Sequence, residues 1–455
     1  MIPMKIYFID RKEELEKLRK LETLRPPPFL IIIGRRRVGK TRLVQEFIGG
    51  REDSIYLFAE EKRSEVLLES WSREVEEGVV FSSWDSFLRS ILRRYSLVVI
   101  DEFQNFLRID PSFFSSLQKV LDEEEHRAML IAIGSYVGMM KSIFEDMKSP
   151  LFGRASEIWF LPPLPMKDVF IWLETDIKDK IEIYSMFGGF PKYYTIMRQY
   201  RVGGVESIWR ELVIPKYSPL STEPYDILLQ EFGGEHRAHF SILEAVALGK
   251  GTYTEISDYT HISRTTLPRY LDYLINLGLL DRRYPVTEGP RSKKGRYRIK
   301  DEFVDFWFRY IFPNMHLKES ERYDALYDII KEDFPSFVGK KFEDIVRGIV
   351  MKTGDYTKVG SWWNRRGDEI DIVALNERKN EILFGEVKWR NRPIGWNVVE
   401  ELMEKKELVE WNSGKRKEKL LVVSKAGFTE KCLERMDSEG IMHWDIKDME
   451  KRVRG

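Results

Sequence analysis

One cysteine, Cys432, in a chain of 455 residues excludes an intramolecular disulfide. Six scattered histidines offer no ligand spacing for zinc, and His236 with His239 reads as the entry to a helix. Net charge is missing as well. The 74 Lys and Arg balance 74 Asp and Glu, so no global field draws the chain to nucleic acid and any such affinity has to come from a local cluster. No apolar stretch approaches the roughly 20 residues of a membrane span. Met1-Ile2-Pro3-Met4-Lys5 lacks the apolar core of a secretory signal. These absences lead us to expect a cytoplasmic protein in a reducing compartment, without a membrane partner. What is plentiful is charge of both signs, 33% of the chain, a composition typical of ion-pair-rich thermophilic proteins. The length exceeds what one core organises and suggests about three domains.

The apolar run Phe29 to Ile33 leads into Gly34-Arg35-Arg36-Arg37-Val38-Gly39-Lys40-Thr41, a GxxxxGKT loop directly after a buried strand. Glycines let successive backbone N–H groups turn toward phosphates, Lys40 adds a point charge, and Thr41 offers its hydroxyl to Mg²⁺. A helix starting at Gly39 points its positive end at the same anion, with Arg42 just beyond. The pattern predicts a bound nucleoside triphosphate. Leu97 to Ile100 reads as a second buried strand closing in Asp101-Glu102, a Walker B pair. Alternation along a strand assigns Asp101 to Mg²⁺ and frees Glu102 to polarise an attacking water.

Short apolar runs at Leu30 to Ile33, Ile55 to Ala59, Leu97 to Ile100, Met129 to Ile133 and Ile158 to Leu161 alternate with helical stretches, which predicts a parallel sheet covered by helices. The ligand then lies at the carboxyl ends of the strands. Ser135, after the fourth strand, is placed to sense a γ-phosphate. Arg154, just before the fifth, is a candidate arginine finger for its own or a neighbour's nucleotide, which would make the protein a homo-oligomer. Residues 1–161 form this expected core. Residues 162–235 follow as a helical lid over the nucleotide and a linker, with Gly188-Gly189-Phe190-Pro191 a rigid corner and Pro191 at a helix start.

Residues 236–312 carry three short helical segments, Phe240 to Leu248, Tyr253 to Tyr259 and Thr265 to Leu277, and then a basic hairpin, the order of a winged helix-turn-helix. Leu267, Tyr270, Leu271 and Leu274 share one face of the third helix, while Thr265 and Arg269 lie opposite. From Arg282 to Lys300 the cations are Arg282, Arg283, Arg291, Lys293, Lys294, Arg296, Arg298 and Lys300, against the single acid Glu288. Such a cluster predicts a wing that reads DNA phosphates, or else a solvated hairpin of a protein-binding adaptor.

Residues 313–455 hold a separate constellation. A helix from Gly339 to Met351 places Glu343 at the edge of its apolar stripe. Glu369 to Leu375 and Glu381 to Trp389 read as paired strands, and Glu386 and Lys388, two apart, project from one face. Asp371 and Glu386 would chelate Mg²⁺ (or Mn²⁺), with Glu343 as a further ligand and Lys388 stabilising charge on a scissile phosphate. The order Glu343, Asp371, Glu386-Val387-Lys388 resembles the PD-(D/E)xK restriction-endonuclease-like superfamily, departing from it where Ile370 replaces the proline before Asp371.

Together with the box Phe8-Ile9-Asp10-Arg11-Lys12-Glu13-Glu14-Leu15 and the GGFP corner, these motifs give the whole chain a resemblance to archaeal ATPases related to the AAA+ and STAND groups. The resemblance implies a sheet in the order 5-1-4-3-2, an N-terminal box holding Arg11 against the nucleotide base, and Gly189 to Pro191 near the nucleotide. Two functions follow. In one, the protein is an ATP-hydrolysing, DNA-binding enzyme with a metal-dependent nuclease-like domain. In the other, it is an ATP-dependent regulatory switch whose winged helix is an adaptor or transcriptional reader and whose C-terminal domain is inactive.

Overall fold

The computed structural model describes residues 8, 11–123, 126–232, 234 and 236–454. Ile9 and Asp10 of the N-terminal box, Gly233 of the expected linker and Met1 to Lys5 lie outside them. The chain gathers into two compact units, Met1–Leu164 with Phe190–Thr195, and Pro165–Gly189 with Ile196–Gly455. Among the described residues no helix is long and apolar enough to cross a membrane.

In the first unit, strands β1 (Phe29–Ile33), β2 (Ser54–Phe58), β3 (Leu97–Asp101), β4 (Met129–Gly134) and β5 (Glu157–Phe160) form one parallel sheet in the order β2-β3-β4-β1-β5. This is the P-loop NTPase arrangement, and it matches the expected order. Residues of β1, β3 and β4 are buried along their whole length because helices cover both faces, which is why these strands read as continuous apolar runs.

Of the helices expected to act as a lid, Met166–Trp172 and Ile177–Phe187 belong to the second unit and pack within it, whereas Pro191–Tyr200 begins in the first. Ile177–Phe187 lies against a long helix, Tyr323–Thr353, and Met166–Trp172 against the terminal helix Ile446–Arg454. Gly188 ends Ile177–Phe187 at φ 56°, ψ −146°, a conformation essentially closed to residues with a Cβ. A Cβ there would also fall 2.2 Å from Glu302 Oε2. Gly188→Ala is therefore expected to cost about 2 kcal/mol in chemical denaturation, and an unchanged midpoint would contradict the assigned backbone geometry.

Helices His236–Ala247, Tyr253–Thr260 and Leu267–Asn276 precede the antiparallel pair β6 (Leu280–Arg283) and β7 (Arg296–Ile299). Pro268 sits in the first turn of the third helix, where no backbone hydrogen bond is lost. Leu267, Leu271 and Leu274 are buried, and Thr265 and Arg269 are exposed, as the periodicity predicted. The C-terminal region is a separate α/β domain. Its sheet has the order β12-β11-β10-β9-β8, from β8 (Lys358–Trp363), β9 (Glu369–Asn376), β10 (Glu381–Lys388), β11 (Lys417–Ser424) and β12 (Met442–Trp444). The helix carrying Glu343 is longer than its apolar stripe suggested, running 31 residues through Pro335.

Candidate functional site

The loop after β1 is built to hold an anion. Gly34 has no room for a side chain, since a Cβ would lie 2.9 Å from the Leu161 carbonyl oxygen, and Arg37 and Gly39 take positive φ (74° and 93°) to close the turn. The helix Lys40–Ile48 starts there. Lys40 is 4% exposed, and its ammonium donates to the carbonyls of Gly34 (2.7 Å) and Arg35 (3.1 Å). Burial lowers its pKa to about 8, against the opposing pull of Glu102 and Asp101. Among the described residues two carbonyls are its hydrogen-bond partners, and a buried cation so held is the natural seat of a phosphate.

The Thr41 hydroxyl donates to Asp101 Oδ2 at 2.6 Å. One hydroxyl and one carboxylate, completed by phosphate oxygens and water, are the donor set Mg²⁺ favours, so these residues fit the ion that accompanies a triphosphate. Tyr56, absent from the sequence expectations, donates to the same Oδ2 at 2.6 Å. Its signal was a tyrosine within an apolar strand next to the Asp101 strand. Glu102 leaves the strand at φ 53°, so its carboxylate is aimed by a left-handed turn and not by strand alternation. Ser135 Oγ donates to Glu102 Oε1 at 2.8 Å and Gln104 Nε2 to Oε2 at 2.5 Å. Ser135, expected to sense a γ-phosphate, is thus held on the Glu102 carboxylate, and Gln104, which had no expected role, holds its other oxygen.

The arginines of the loop are spread. Arg36 donates to the Tyr136 hydroxyl (2.6 Å), Arg35 lies over the Phe190 ring (5.6 Å) and Arg37 over Tyr193 (6.0 Å). Pro191 lies 3.8 Å from the position a Gly39 Cβ would occupy, so the GGFP corner does meet the loop. Arg42 pairs with Glu46 one turn on.

Arg11 is 5% exposed and donates to the carbonyls of Val38 (3.0 Å) and Pro162 (2.6 Å), bracing the loop through its backbone. One expectation needs correction, that Arg154 could serve its own nucleotide. Arg154 pairs with Asp122 at 2.9 Å. It precedes β5, whose first residue Glu157 pairs with Leu30 near the start of β1, so it stands at the amino edge of the sheet, opposite the loop. It cannot act on its own nucleotide.

A second site lies in the second unit, around a cavity of about 650 Å³. Glu386 and Lys388 share a face of β10 and are hydrogen-bonded to each other, and Lys388 Nζ lies 4.0 Å from Asp371 Oδ2 on β9. The Val387 N–H donates to that same Oδ2 at 2.8 Å. Glu386 is 2% exposed, and its Oε2 has no hydrogen-bond partner. Burial, and then the charge of Glu386, push the Asp371 carboxyl above its ordinary range. Lys405, which drew no attention in the sequence, lies 3.7 Å from Glu386 Oε1.

Among the described residues no three Asp, Glu, His or Cys side chains converge on one ion position. Glu343, expected as a third ligand, lies 3.6 Å from Arg347 one turn along its helix. Burial and the charge of Asp371 raise its pKa, so it is near the pair without joining it. Two carboxylates with an orphaned buried oxygen still fit Mg²⁺, which takes one or two protein carboxylates plus phosphate and water.

The basic hairpin is docked on the C-terminal domain. Cross-strand register places Arg283, Arg296 and Arg298 on one face, turned to carboxylates. Arg283 bonds Asp344, Arg296 lies 2.9 Å from Glu369, and Arg298 lies 3.5 Å from Asp344. The Val286 N–H donates to the Ser361 carbonyl (2.9 Å), and Trp363 Nε1 to that of Lys294 (2.9 Å). Lys294 itself pairs with Glu288. These four cations, expected on phosphates, already have carboxylates. Arg282, Arg291, Lys293 and Lys300 are exposed.

A family described as an ATPase domain predominantly from Archaea matches residues 8–195, and one described as archaeal and bacterial proteins of unknown function matches residues 307–407. An uncharacterised protein, MJECL04, of Methanocaldococcus jannaschii is 32% identical over 398 residues, 84% of this chain and 88% of the relative. An uncharacterised ATP-binding protein of the same organism, MJ0423, is 40% identical over 47 residues, 10% of this chain and 80% of that protein. Among solved structures, the Aeropyrum pernix Orc1 protein in complex with DNA has a TM-score of 0.34 at 15% identity, covering 69% of this chain and 96% of that one. A point variant of Thermotoga maritima RuvB gives 0.33 at 16%, covering 67% and 97%. Likenesses that low add nothing to the sheet order itself. The long match to MJECL04 does decide kinship: the chain belongs to one family with that archaeal protein, and its N-terminal unit is an ATPase domain.

Proposed function

We propose that the protein binds and hydrolyses ATP with Mg²⁺ in the loop Gly34 to Thr41, binds DNA through a winged helix, and cleaves a phosphodiester at Asp371, Glu386 and Lys388. The hydrolysis reading is carried by the convergence of Lys40, Thr41, Asp101 and Glu102. Lys40 holds the terminal phosphates, Asp101 and Thr41 seat the ion, and Glu102, aimed by Ser135 and Gln104, takes the proton of the attacking water. Arg154 is left for a neighbouring copy's nucleotide. DNA contact rests on the exposed Thr265 and Arg269 of the third helix with Arg282, Arg291 and Lys293.

Cleavage is supported by the unpartnered Oε2 of Glu386 beside a lysine able to neutralise charge on a phosphate. An ion bound there supplies a Lewis acid and an activated water. The full chain, incubated with plasmid and Mg²⁺ or Mn²⁺, is expected to nick it, and Asp371→Asn and Lys388→Met should each abolish nicking. Persistence in both variants would assign the nicking to a contaminant and remove the site. The docked hairpin favours a second reading, a switch whose C-terminal domain is inactive. Full ATP turnover with no cleavage under any metal would establish that reading.

A further inference from the structure

The turn between β8 and β9 presents two adjacent arginines, Arg365 and Arg366, both exposed. Its shape is fixed by Asn364, whose side-chain oxygen accepts the N–H groups of Arg366 (2.8 Å) and Asp368 (3.1 Å) while its amide donates to Asp368 Oδ2 (2.7 Å). Gly367 closes the turn at φ 98°. Such a tip loses little freedom when it grips a ligand, and guanidinium forks suit phosphate oxygens.

The tip of the β6–β7 hairpin lies beside this turn. Trp363, the residue before Asn364, donates to the Lys294 carbonyl (2.9 Å), and Arg296 pairs with Glu369 (2.9 Å) and lies over the Trp363 ring (4.8 Å). Against the opposing effect of burial, bonds from Lys294 and Ser292, and then the charges of Lys294 and Arg365, hold the Glu288 carboxyl below its ordinary range, so the arginine of one tip acts on the acid of the other. Residues 285–296 and 361–369 together carry six cations and three acids, in a chain whose charges balance. Glu288 is taken by Lys294 and Glu369 by Arg296. That leaves Arg291, Lys293, Arg365 and Arg366, all exposed and, among the described residues, without an ion pair, against Asp368 alone. A surplus of that kind, drawn from two distant stretches of chain, attracts a polyanion.

We propose that Arg365 and Arg366 join Arg291 and Lys293 in one phosphate-binding surface, so that a DNA backbone held by the wing continues onto the C-terminal domain. The inference rests on the reading of the hairpin as a DNA-binding wing and extends the interface to a second domain. Phosphate contacts position a duplex without reading its sequence, so this surface adds affinity and register, and base selection is left to Thr265 and Arg269 of the third helix. Gly367 and Asp368, which follow the two arginines, also line the cavity of Asp371 and Glu386, so a backbone gripped at this turn borders the phosphodiester site.

Binding of a fluorescent DNA duplex of about 20 base pairs to the full chain, in EDTA and without ATP, is measured over a range of salt. Arg365→Gln with Arg366→Gln should weaken binding about tenfold on every sequence tested and lower the salt slope by about 2. Arg365→Lys with Arg366→Lys keeps both charges and should keep the slope. Lys447→Gln with Lys451→Gln removes the same charge from the helix after β12, at the opposite margin of the sheet, and should leave binding unchanged. An equal loss in that control overturns the inference. So does an unchanged Arg365 and Arg366 pair when Arg291→Gln with Lys293→Gln releases DNA, a result that keeps the wing reading. No loss in either pair removes both. Arg365→Gln alone repeats the measurement if the double change lowers the denaturation midpoint. Polyglutamate bound as tightly as the duplex, with the same dependence on Arg365 and Arg366, would assign the surface to an acidic protein partner and overturn the choice of DNA.

Discussion

Glu102→Gln is expected to bind ATP within a few-fold of the unchanged protein and to hydrolyse it about 10²- to 10³-fold more slowly, the usual contribution of a positioned general base. The amide keeps the shape of the carboxylate and can still meet Ser135 and Gln104, so the turn at φ 53° should survive. What it loses is the ability to take a proton. Lys40→Ala should behave differently. It removes the one cation buried inside the loop, leaving the Gly34 and Arg35 carbonyls without their donor, so nucleotide binding itself should vanish. Calorimetry with Mg-ATP and a phosphate-release assay separate the two. Normal turnover by Glu102→Gln would remove that residue from its assigned role, and undiminished ATP uptake by Lys40→Ala would overturn the reading of the loop.

Asp344→Ala is expected to cost about 1 to 3 kcal/mol, the penalty for leaving charged partners at a part-buried position without their hydrogen bonds. The carboxylate bonds Arg283 of the hairpin and Arg347 of its own helix and lies 3.5 Å from Arg298, and these cations hold it well below the usual carboxylate range against the opposing effect of burial. Its removal leaves three guanidinium groups facing one another, and their repulsion should lift the hairpin. Urea denaturation measures the loss, and limited proteolysis between Arg283 and Arg296 should quicken. An Asp344→Ala protein with wild-type stability and an equally resistant hairpin would show that the carboxylate does not fasten it.

Much of the nucleotide unit was legible because its signals are local. A fully buried strand reads as an unbroken apolar run, and the phosphate loop and the Asp101-Glu102 pair each depend on a few consecutive residues, as in Gly34 to Thr41 and Leu97 to Glu102. Contacts carried by the third dimension were not legible. Tyr56 meets Asp101 only because β2 neighbours β3, and Arg154 is excluded from its own nucleotide only because parallel strands put its end of β5 far from the loop. Counting cations from Arg282 to Lys300 measured the hairpin's charge but could not say which face each residue takes. Alternation along β7 sends Arg296 and Arg298 toward carboxylates from a distant part of the chain, and no periodicity within the hairpin reveals those partners. Glu343 illustrates the same limit, since its helical stripe was visible and its pairing with Arg347 was not weighed.

The hairpin's seat on β8 also matters for solubility. β8 is the outermost strand of its sheet, and Val286 occupies one of its outward carbonyls at Ser361 while packing on Gly360. An uncovered strand at that margin would present a row of unmet amide groups, a template for a second sheet to extend. A fragment beginning at residue 313 would lack this cover and should associate edge to edge, so the hairpin acts as a guard against aggregation as well as a neighbour of the cavity.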